Sequence, residues 1–542
     1  MTQNVTVVMG QIDPIVGDVS GNVDLIIEAA KRAKDESQAD IIVFSEMTIT
    51  GYPPEDLLLR DGLYPQINQA LNRICKEVTD IVCVVGYPMM DELGERFNMA
   101  AWIEEGLIQA SYMKQNLPNY SVFDEQRYFS AGHHPCVVEF NGIKFGILIC
   151  EDIWKITPST QARDAGADII LNLNASPFSE EKHQDRIETL QRRVDEIKKP
   201  IIYVNQVGGQ DDLVFDGGSF AMCADGEVCV QAPEFKSDLT AVKLVKQADS
   251  VVILEGQKSK LFEGEARIYE ALKMGVKRYV QKNGFPGVIL GLSGGIDSAL
   301  TLAIAVDAVG ADNVEAVMMP FRYTAEISKE DAAQQAKTMG VKYQSIPIES
   351  MYSAFEVALA ASFEGTETDL TEENLQARIR GTLLMAISNK AGKMVLATSN
   401  KSEVAVGYST LYGDMVGGFS PLKDVPKTLV YRLAEYRNTL SECIPNRVIT
   451  RPPSAELRPD QVDQDSLPDY DVLDTIVKQY VRLDKSPAEI VALGFDEEDV
   501  RKVIRLIDRS EDKRRQSAPV IKRTQRAFGR DRRYPITSHY SE

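Results

Sequence analysis

The 542-residue sequence predicts an α/β protein built from two enzyme-sized domains. Three observations carry that prediction. Short β-rich runs alternate with amphipathic stretches through the first half. A second alternation of the same kind starts afresh near residue 260. At its head, "GVILGLSGGIDSALTLAIAVDAVG" (287–310) runs from an apolar strand through a Gly-rich turn into an apolar helix.

In the first half the strand-like runs are "VTVVMGQI", "IIVFSEM", "IVCVVGYPM", "FGILICEDIW", "DIILNLNAS" and "PIIYVNQVG". Helical patterns such as "NVDLIIEAAKRAKDESQ" and "ETLQRRVDEIKK" lie between several of them. This gives a layered first domain, 1–250, followed by a linker at 251–265. The second domain, 266–542, opens on the helix pattern "FEGEARIYEALKMGVKRYVQKNG" and continues through strands "GVILGL", "VEAVMMP", "KYQSIPI" and "KMVLATSN". Helices separate these strands, so a doubly wound parallel sheet is expected, with ligands beyond the strand carboxyl ends.

Composition excludes several classes. Hydrophobic residues make up 44% and charged residues 26%, ordinary for a globular chain. No apolar run approaches a membrane span, and the N-terminus has no signal-peptide pattern, so a cytoplasmic protein without membrane partners is expected. Seven irregularly spaced cysteines argue against a disulfide framework and a thiolate zinc site. A net charge of −20 disfavours nucleic acid as a partner. The basic stretch "KRRQSAPVIKRTQRAFGRDRRYP" stands out in this acidic chain, as a solvated tail or as a cationic segment over a phosphorylated ligand.

The turn after strand "VILGL" is a candidate phosphate cradle. Gly294 and Gly295 allow positive φ and close backbone approach, and the helix that follows aims N–H groups at the turn. Ser293 and Ser298 offer hydroxyls, and Asp297 offers an oxygen for Mg²⁺. Neither the Walker A pattern nor GxGxxG is met. "SGGIDS" after a strand resembles the pyrophosphate loop of N-type ATP pyrophosphatases, which cut ATP between the α and β phosphates and adenylylate an acceptor. Resemblance then implies ATP contacts from Gly291, Leu292, Ser293, Gly294, Gly295, Ile296, Asp297 and Ser298.

Further motifs narrow the resemblance. They are "NLQARIRGTLLMAISN", "VLATSNKSEVAVGYSTLYGDMVGGFSPLKDVPKT", "PPSAELRPDQVDQDSLPDYDVLD" and "KRTQRAFGRDRRYPI". Together they are similar to the synthetase domain of NAD synthetases across almost all of 260–540. The resemblance implies that Thr398 contacts ATP. Asn374, Arg378, Glu403, Asp414 and Lys522 are then expected to bind deamido-NAD. Asp297 and Glu403 would supply hard oxygens to Mg²⁺.

Making an amide from an adenylate needs a nitrogen nucleophile, and the first domain offers a source. Cys150 ends the strand in "KFGILICEDIW", Glu46 ends "IIVFSEM", and Lys114 lies in "SYMKQNLPNYSVFDEQRYF". A thiol attacking an amide needs a base, and the tetrahedral oxyanion needs a cation or N–H donor. Glu–Lys–Cys in this order resembles the triad of the nitrilase superfamily, over roughly 4–250, and implies an αββα sandwich. The resemblance makes Glu46 the proton acceptor, Lys114 the intermediate stabiliser and Cys150 the nucleophile, with Glu125 as a supporting carboxylate. Similarity to the glutamine-dependent NAD synthetase family, which extends over the whole chain, adds Tyr120, Ser176 and Lys182 as glutamine contacts.

The expected activity is ATP-dependent amidation of deamido-NAD, through an adenylated intermediate. Glutamine is the ammonia source, an ammonia tunnel joins the sites, and the enzyme is a homo-oligomer. Two alternatives remain at this point: a tRNA-modifying pyrophosphatase with a nitrilase-like appendage, and a synthetase using free ammonia with an inert scaffold.

Overall fold

A computed structural model describes residues 3–247, 250–459, 461–465 and 467–538, and the chain divides into two compact units, Met1–Phe262 and Glu263–Glu542. The first unit contains two large sheets. Its strands are β1 (Gln3–Gln11), β2 (Ile41–Val43), β3 (Val82–Met90), β4 (Arg96–Glu104), β5 (Leu107–Met113), β6 (Cys136–Phe140), β7 (Ile143–Ile149), β8 (Ile169–Asn174) and β9 (Ile201–Asn205). They continue as β10 (Val207–Gln210), β11 (Leu213–Asp216), β12 (Phe220–Met222), β13 (Val228–Gln231), β14 (Asp238–Gln247) and β15 (Ser250–Ile253). One sheet has the order β15-β14-β1-β2-β3-β4-β5 and the other β13-β12-β9-β8-β7-β6.

Period-2 alternation puts the inner strands of the first sheet into two cores at once. On β3, Val82 and Val84 face the second sheet, while Cys83 and Val85 face the helices. Helices α1 (Val19–Ser37) and α2 (Leu63–Glu77) supply Val23, Ile26, Ile67 and Ile74 to that helix-side core. Helices α3 (Ile156–Asp164) and α4 (Lys182–Ile197) cover the second sheet with Ala162, Leu190 and Val194. The unit is therefore an αββα sandwich. Fully buried Trp102 on β4 lies 5.5 Å, centroid to centroid, from Phe145 on β7, joining the two sheets.

One expectation needs correction here. Residues 251–253, expected in the linker, extend the first sheet as β15, because Val251 and Ile253 bury against β14 instead of losing their pattern. Cys223 and Cys229 are paired across the β12–β13 hairpin.

The second unit has one four-stranded sheet: β16 (Val288–Gly291), β17 (Val314–Met318), β18 (Lys342–Ser345) and β19 (Met394–Val395). Its order is β18-β17-β16-β19, with every pair parallel. Its helices include α5 (Gly264–Lys282), α6 (Ile296–Val309), α7 (Glu326–Met339), α8 (Glu349–Leu359), α9 (Leu370–Ala391), α10 (Lys401–Val406) and α11 (Lys427–Leu440). Ile289, Val317 and Val395 pack against Tyr352 of α8 and Ile379 and Leu384 of α9. Helix α6 is apolar nearly all round, and accordingly it is buried from Ala299 to Ala305. β16 has neighbours reached by crossovers in opposite directions, so the strand order reverses at the carboxyl end of β16, where a ligand crevice is expected.

The basic stretch is neither a free tail nor a solvated face. Arg514 is buried, donates to Ala405 O and Ile507 O, and stacks 4.6 Å from the Phe528 ring. Lys513 donates to Gly407 O and Ser409 O, so both cations hold the carbonyls at the C-terminal end of α10.

Truncating Trp102 to Ala should cost about 3–5 kcal/mol, because two sheets lose their shared contact. Urea unfolding followed on the first unit's signal is the check, and a loss below about 1 kcal/mol would contradict this packing account.

Candidate active sites

Three sequence-distant carboxylate and ammonium groups meet in the first unit. Lys114 immediately follows β5, and its Nζ donates to Glu46 Oε1 at 2.7 Å and to both oxygens of Glu125 at 2.8 Å. Lys114 and Glu46 side chains are wholly buried. Glu46 follows β2, where its Oε1 also accepts from Asn98 Nδ2 at 2.7 Å and its Oε2 from Ala175 N at 3.2 Å. Gly86 on β3 allows this turn to sit close, since a β-carbon there would meet Met47 N at 2.5 Å. Tyr52 OH donates to Glu125 Oε1 at 3.1 Å. Burial pushes the Glu125 carboxyl up against the pull of Lys114, and the Glu46 charge pushes it further.

Cys150 is the first residue after β7, in a tight 3-10 turn over Cys150–Trp154, and its φ is 45°. A non-glycine residue there is strained, which is where nucleophiles on sharp turns are held. Burial pushes the thiol well up; Glu46 adds to the rise and Lys114 opposes it. The structure brings Glu46, Lys114, Glu125 and Cys150 into one electrostatically linked cluster.

The expected glutamine contacts fall into two kinds. Tyr120, half exposed, donates from its OH to Glu151 Oε2 at 2.8 Å. Together with Gln115, Asn116 and Lys155 they line a cavity of about 550 Å³ beside the nucleophile turn. Lys182, at the start of α4, lies with Nζ 4.1 Å from the Trp154 ring, and burial and Arg186 lower its pKa. Ser176 is buried and committed: its Oγ accepts from Arg186 Nε at 3.3 Å and its N donates to Asn205. Arg186 in turn is paired with Asp216 at 2.9 Å, with both side chains wholly buried.

Sequence reasoning missed Asp152, which holds this site together. Its Oδ1 accepts from Asn116 N (2.8 Å), Asn116 Nδ2 (3.0 Å) and Gln115 N (3.2 Å). Its Oδ2 accepts from Tyr112 OH (2.8 Å) and Ile149 N (3.2 Å). The turn bearing Cys150 is thereby tied to the segment bearing Lys114. An acid two residues past a candidate nucleophile in "CEDIW" was the available signal. Asn98 offered a second, as an amide inside the apolar strand "RFNMAAWIE".

In the second unit β16 leads into the 291–298 loop. Leu292 N donates to Val317 O at 2.9 Å, which seats the loop on the neighbouring strand. Gly294 has φ +82°, and a β-carbon there would lie 2.3 Å from Ser328 O. Ser293 N and Oγ meet Ser298 Oγ at 3.2 and 3.1 Å, and Ser293 Oγ accepts from Gly295 N at 3.2 Å. The hydroxyls thus brace the loop from within, and the first turn of α6, from Ile296, presents its orphan N–H groups at the loop.

Asp297 and Glu403 do come together, through a lysine that sequence reasoning missed. Lys427 Nζ donates to Asp297 Oδ2 at 2.5 Å and to Glu403 Oε1 at 3.3 Å. Asn400, which caps α10, also donates to Asp297 Oδ1 at 2.9 Å. Burial and the neighbouring Asp297 push the Glu403 carboxyl up while Lys427 pulls it down. Lys427 opens α11, where the helix dipole disfavours a cation, and that misplaced charge was its signal. Thr398 lies beyond the carboxyl end of β19, on the loop leading to Asn400.

The expected dinucleotide contacts split. Asn374 Oδ1 accepts from Thr410 Oγ1 at 2.7 Å, Asp414 Oδ1 accepts from Thr410 N at 2.7 Å, and Arg378 Nε donates to Leu411 O at 3.2 Å. These three are one cluster between α9 and the 410–414 loop. Lys522 is apart from them, paired with Asp531 at 3.1 Å and donating to Gln525 O.

Residues 6–250 match the carbon-nitrogen hydrolase family and residues 268–517 the NAD synthase family. A carbon-nitrogen hydrolase joined to an NAD synthase is thus the class that fold and site define. Over 540 residues the chain is 53% identical to a glutamine-dependent NAD(+) synthetase of Acinetobacter baylyi, with 98% of each covered. It is 48% identical to the one of Xanthomonas campestris pv. campestris, covering 99% of this chain and 98% of the relative. A solved glutamine-dependent NAD+ synthetase of Acinetobacter baumannii in complex with adenosine diphosphate is 50% identical, with TM-score 0.81 and 98% of each chain covered. The chain belongs to the glutamine-dependent NAD(+) synthetase family.

Burial raises Asp152 from 3.8 to about 6, although Lys114 and its five donors favour the anion. Because the folded pKa is the higher one, the stability that this group contributes is complete below its unfolded pKa and is lost as pH rises through about 6. Asp152→Asn removes that titration. The unfolding free energy of the wild type relative to the variant should therefore fall between about pH 4 and 6. A flat difference across that window in denaturant titrations would contradict it.

Proposed function

We propose that the chain makes NAD from deamido-NAD, ATP and glutamine, with hydrolysis of glutamine in the first unit and adenylation and amidation in the second. The observation that carries this reading is the buried Glu46–Lys114–Glu125 array acting on Cys150, in a chain that also holds the 291–298 loop.

Cys150 Sγ attacks the carboxamide carbon of glutamine, and Glu46 takes the thiol proton and passes it to the departing ammonia. Lys114 Nζ, held between Glu46 and Glu125, stabilises the oxyanion of the tetrahedral intermediate. Glu46 then takes a proton from water, which cleaves the thioester and releases glutamate. Tyr120 and Glu151 border the cavity assigned to glutamine, Lys182 is assigned to glutamine from its place over Trp154, and Ser176 acts through its placement by Arg186.

In the synthetase unit the nicotinate carboxylate attacks the α-phosphorus of ATP and pyrophosphate departs from the 291–298 loop. Ammonia then adds to the carboxyl carbon of the acyl adenylate, and AMP leaves. Asn374, Arg378, Asp414 and Lys522 are assigned to the dinucleotide and Thr398 to ATP. Asp297 and Glu403 fit Mg²⁺: both are carboxylates, and both already reach one cation, Lys427. When bound, Mg²⁺ would neutralise charge on the phosphates of ATP. A homo-oligomer in the cytoplasm is the assembly and location proposed.

Omitting each substrate in turn while following NAD and glutamate tests the overall reaction. Cys150→Ala should abolish glutamine-supported NAD formation and leave ammonia-supported formation within about twofold of wild type. Equal use of both nitrogen sources by that variant would refute the glutaminase assignment. Chelation of divalent cations should stop ammonia-supported synthesis while iodoacetamide still alkylates Cys150 at its usual rate. Full synthesis in excess chelator would remove the metal from the scheme.

A further inference from the structure

Arg380 on α9 is used by nothing described so far. It lies two residues beyond Arg378 and therefore on the other side of the helix. Its Nε donates to Met319 O at 2.9 Å, and Met319 is the residue immediately after β17. A β-carbon at Gly291 would lie 3.4 Å from Met319 Cε and 3.5 Å from Leu384 Cδ1. Leu384 is one turn from Arg380 on the same face of α9. The guanidinium is therefore anchored at the carboxyl ends of β16 and β17, where the 291–298 loop begins.

Its electrostatic position is unusual for this chain. The buried arginines 186, 437 and 514 each have a carboxylate, at 2.9, 2.6 and 2.9 Å. Among the described residues Arg380 has no such ion pair, and its bond to Met319 O is its one hydrogen bond. Glu456 is the charge that acts on it, but the Glu456 oxygens accept from Ser328 Oγ at 2.6 Å and Ala325 N at 3.3 Å. Arg380 is only partly buried; that partial desolvation lowers its pKa to about 10, and the distant Glu456 charge opposes the shift. A partly exposed cation with no ion pair and with N–H groups to spare, held at the ligand edge of a parallel sheet beside the 291–298 loop, suits an anionic ligand.

We propose that Arg380 is an anion-binding residue of the synthetase unit, donating its unused N–H groups to a phosphate of the bound ATP. A planar guanidinium suits paired phosphate oxygens, and the 291–298 loop alongside supplies the other donors. The inference rests on the reading of that loop as the ATP site.

Arg380→Gln and Arg380→Lys test it in ammonia-supported synthesis, where the first unit's chemistry does not enter. ADP serves as the probe for equilibrium binding. Arg380→Gln should raise both the ATP KM and the ADP Kd by about 10- to 100-fold, the loss expected for a charge-assisted hydrogen bond. Arg380→Lys should recover part of that loss, and the deamido-NAD KM should move by less than about threefold. Unchanged ADP binding in Arg380→Gln, or a loss confined to deamido-NAD, would overturn the assignment to ATP. Failure of the wild-type chain to bind ADP would instead bring down the nucleotide reading of the loop, and this proposal with it. Arg380→Lys retains charge and stem, so it keeps the comparison available if the glutamine variant does not fold.

Discussion

A buried ammonium shared by two carboxylates is the interaction on which the first unit's chemistry depends. Lys114 is removed from water, and only the contacts to Glu46 and Glu125 offset that cost. Each partner comes from a different part of the chain, so this Glu46–Lys114–Glu125 array exists only when β2, β5 and the 3-10 turn at Glu125–Arg127 are in register. The αββα sandwich supplies that register through residues such as Trp102 and Phe145, which have no chemical role. Asp152 then fixes the nucleophile turn to the same framework through five accepted hydrogen bonds.

The second unit repeats the arrangement with different parts. Lys427 bridges Asp297 and Glu403 as Lys114 bridges Glu46 and Glu125. In both places burial raises one carboxyl, and a lysine opposes that rise by holding the negative form. The two centres differ in what the cation does next. In the proposed mechanism Lys114 stays with its carboxylates to meet a developing oxyanion, whereas Lys427 would have to yield Asp297 and Glu403 oxygens to a divalent ion.

Much of this was legible from residue pattern, and the remainder was not for identifiable reasons. Alternation on strands such as 82–85 and the Gly-rich turn after β16 gave the layers, the parallel sheet and the loop, because local periodicity and backbone freedom encode them. Glu46, Lys114 and Cys150 were singled out by their places at or after strand ends and by the resemblance of their order to the nitrilase triad, and the fold gathers them into one cluster. The partners that hold them were harder. Asn98, Asp152 and Lys427 act across 52, 36 and 130 positions of sequence, and no local pattern fixes such distances. The basic stretch misled for the opposite reason: its charges look solvated in sequence, yet Lys513 and Arg514 spend theirs on carbonyls of α10 and its neighbours. The start of the second unit was blurred because β15 is a four-residue edge strand paired with β14 alone, too short to show a pattern of its own.

The left-handed backbone at Cys150 carries a consequence of a different sort. A β-carbon at φ 45° is a local liability to folding, and glycine would occupy the position with less strain. Selection for heat resistance alone would therefore favour losing the sulfur proposed as the nucleophile. Laboratory evolution of a hardier version of this chain should thus be run under a demand for glutamine as the nitrogen source. Where free ammonia is plentiful, nothing would stop that position from drifting toward glycine.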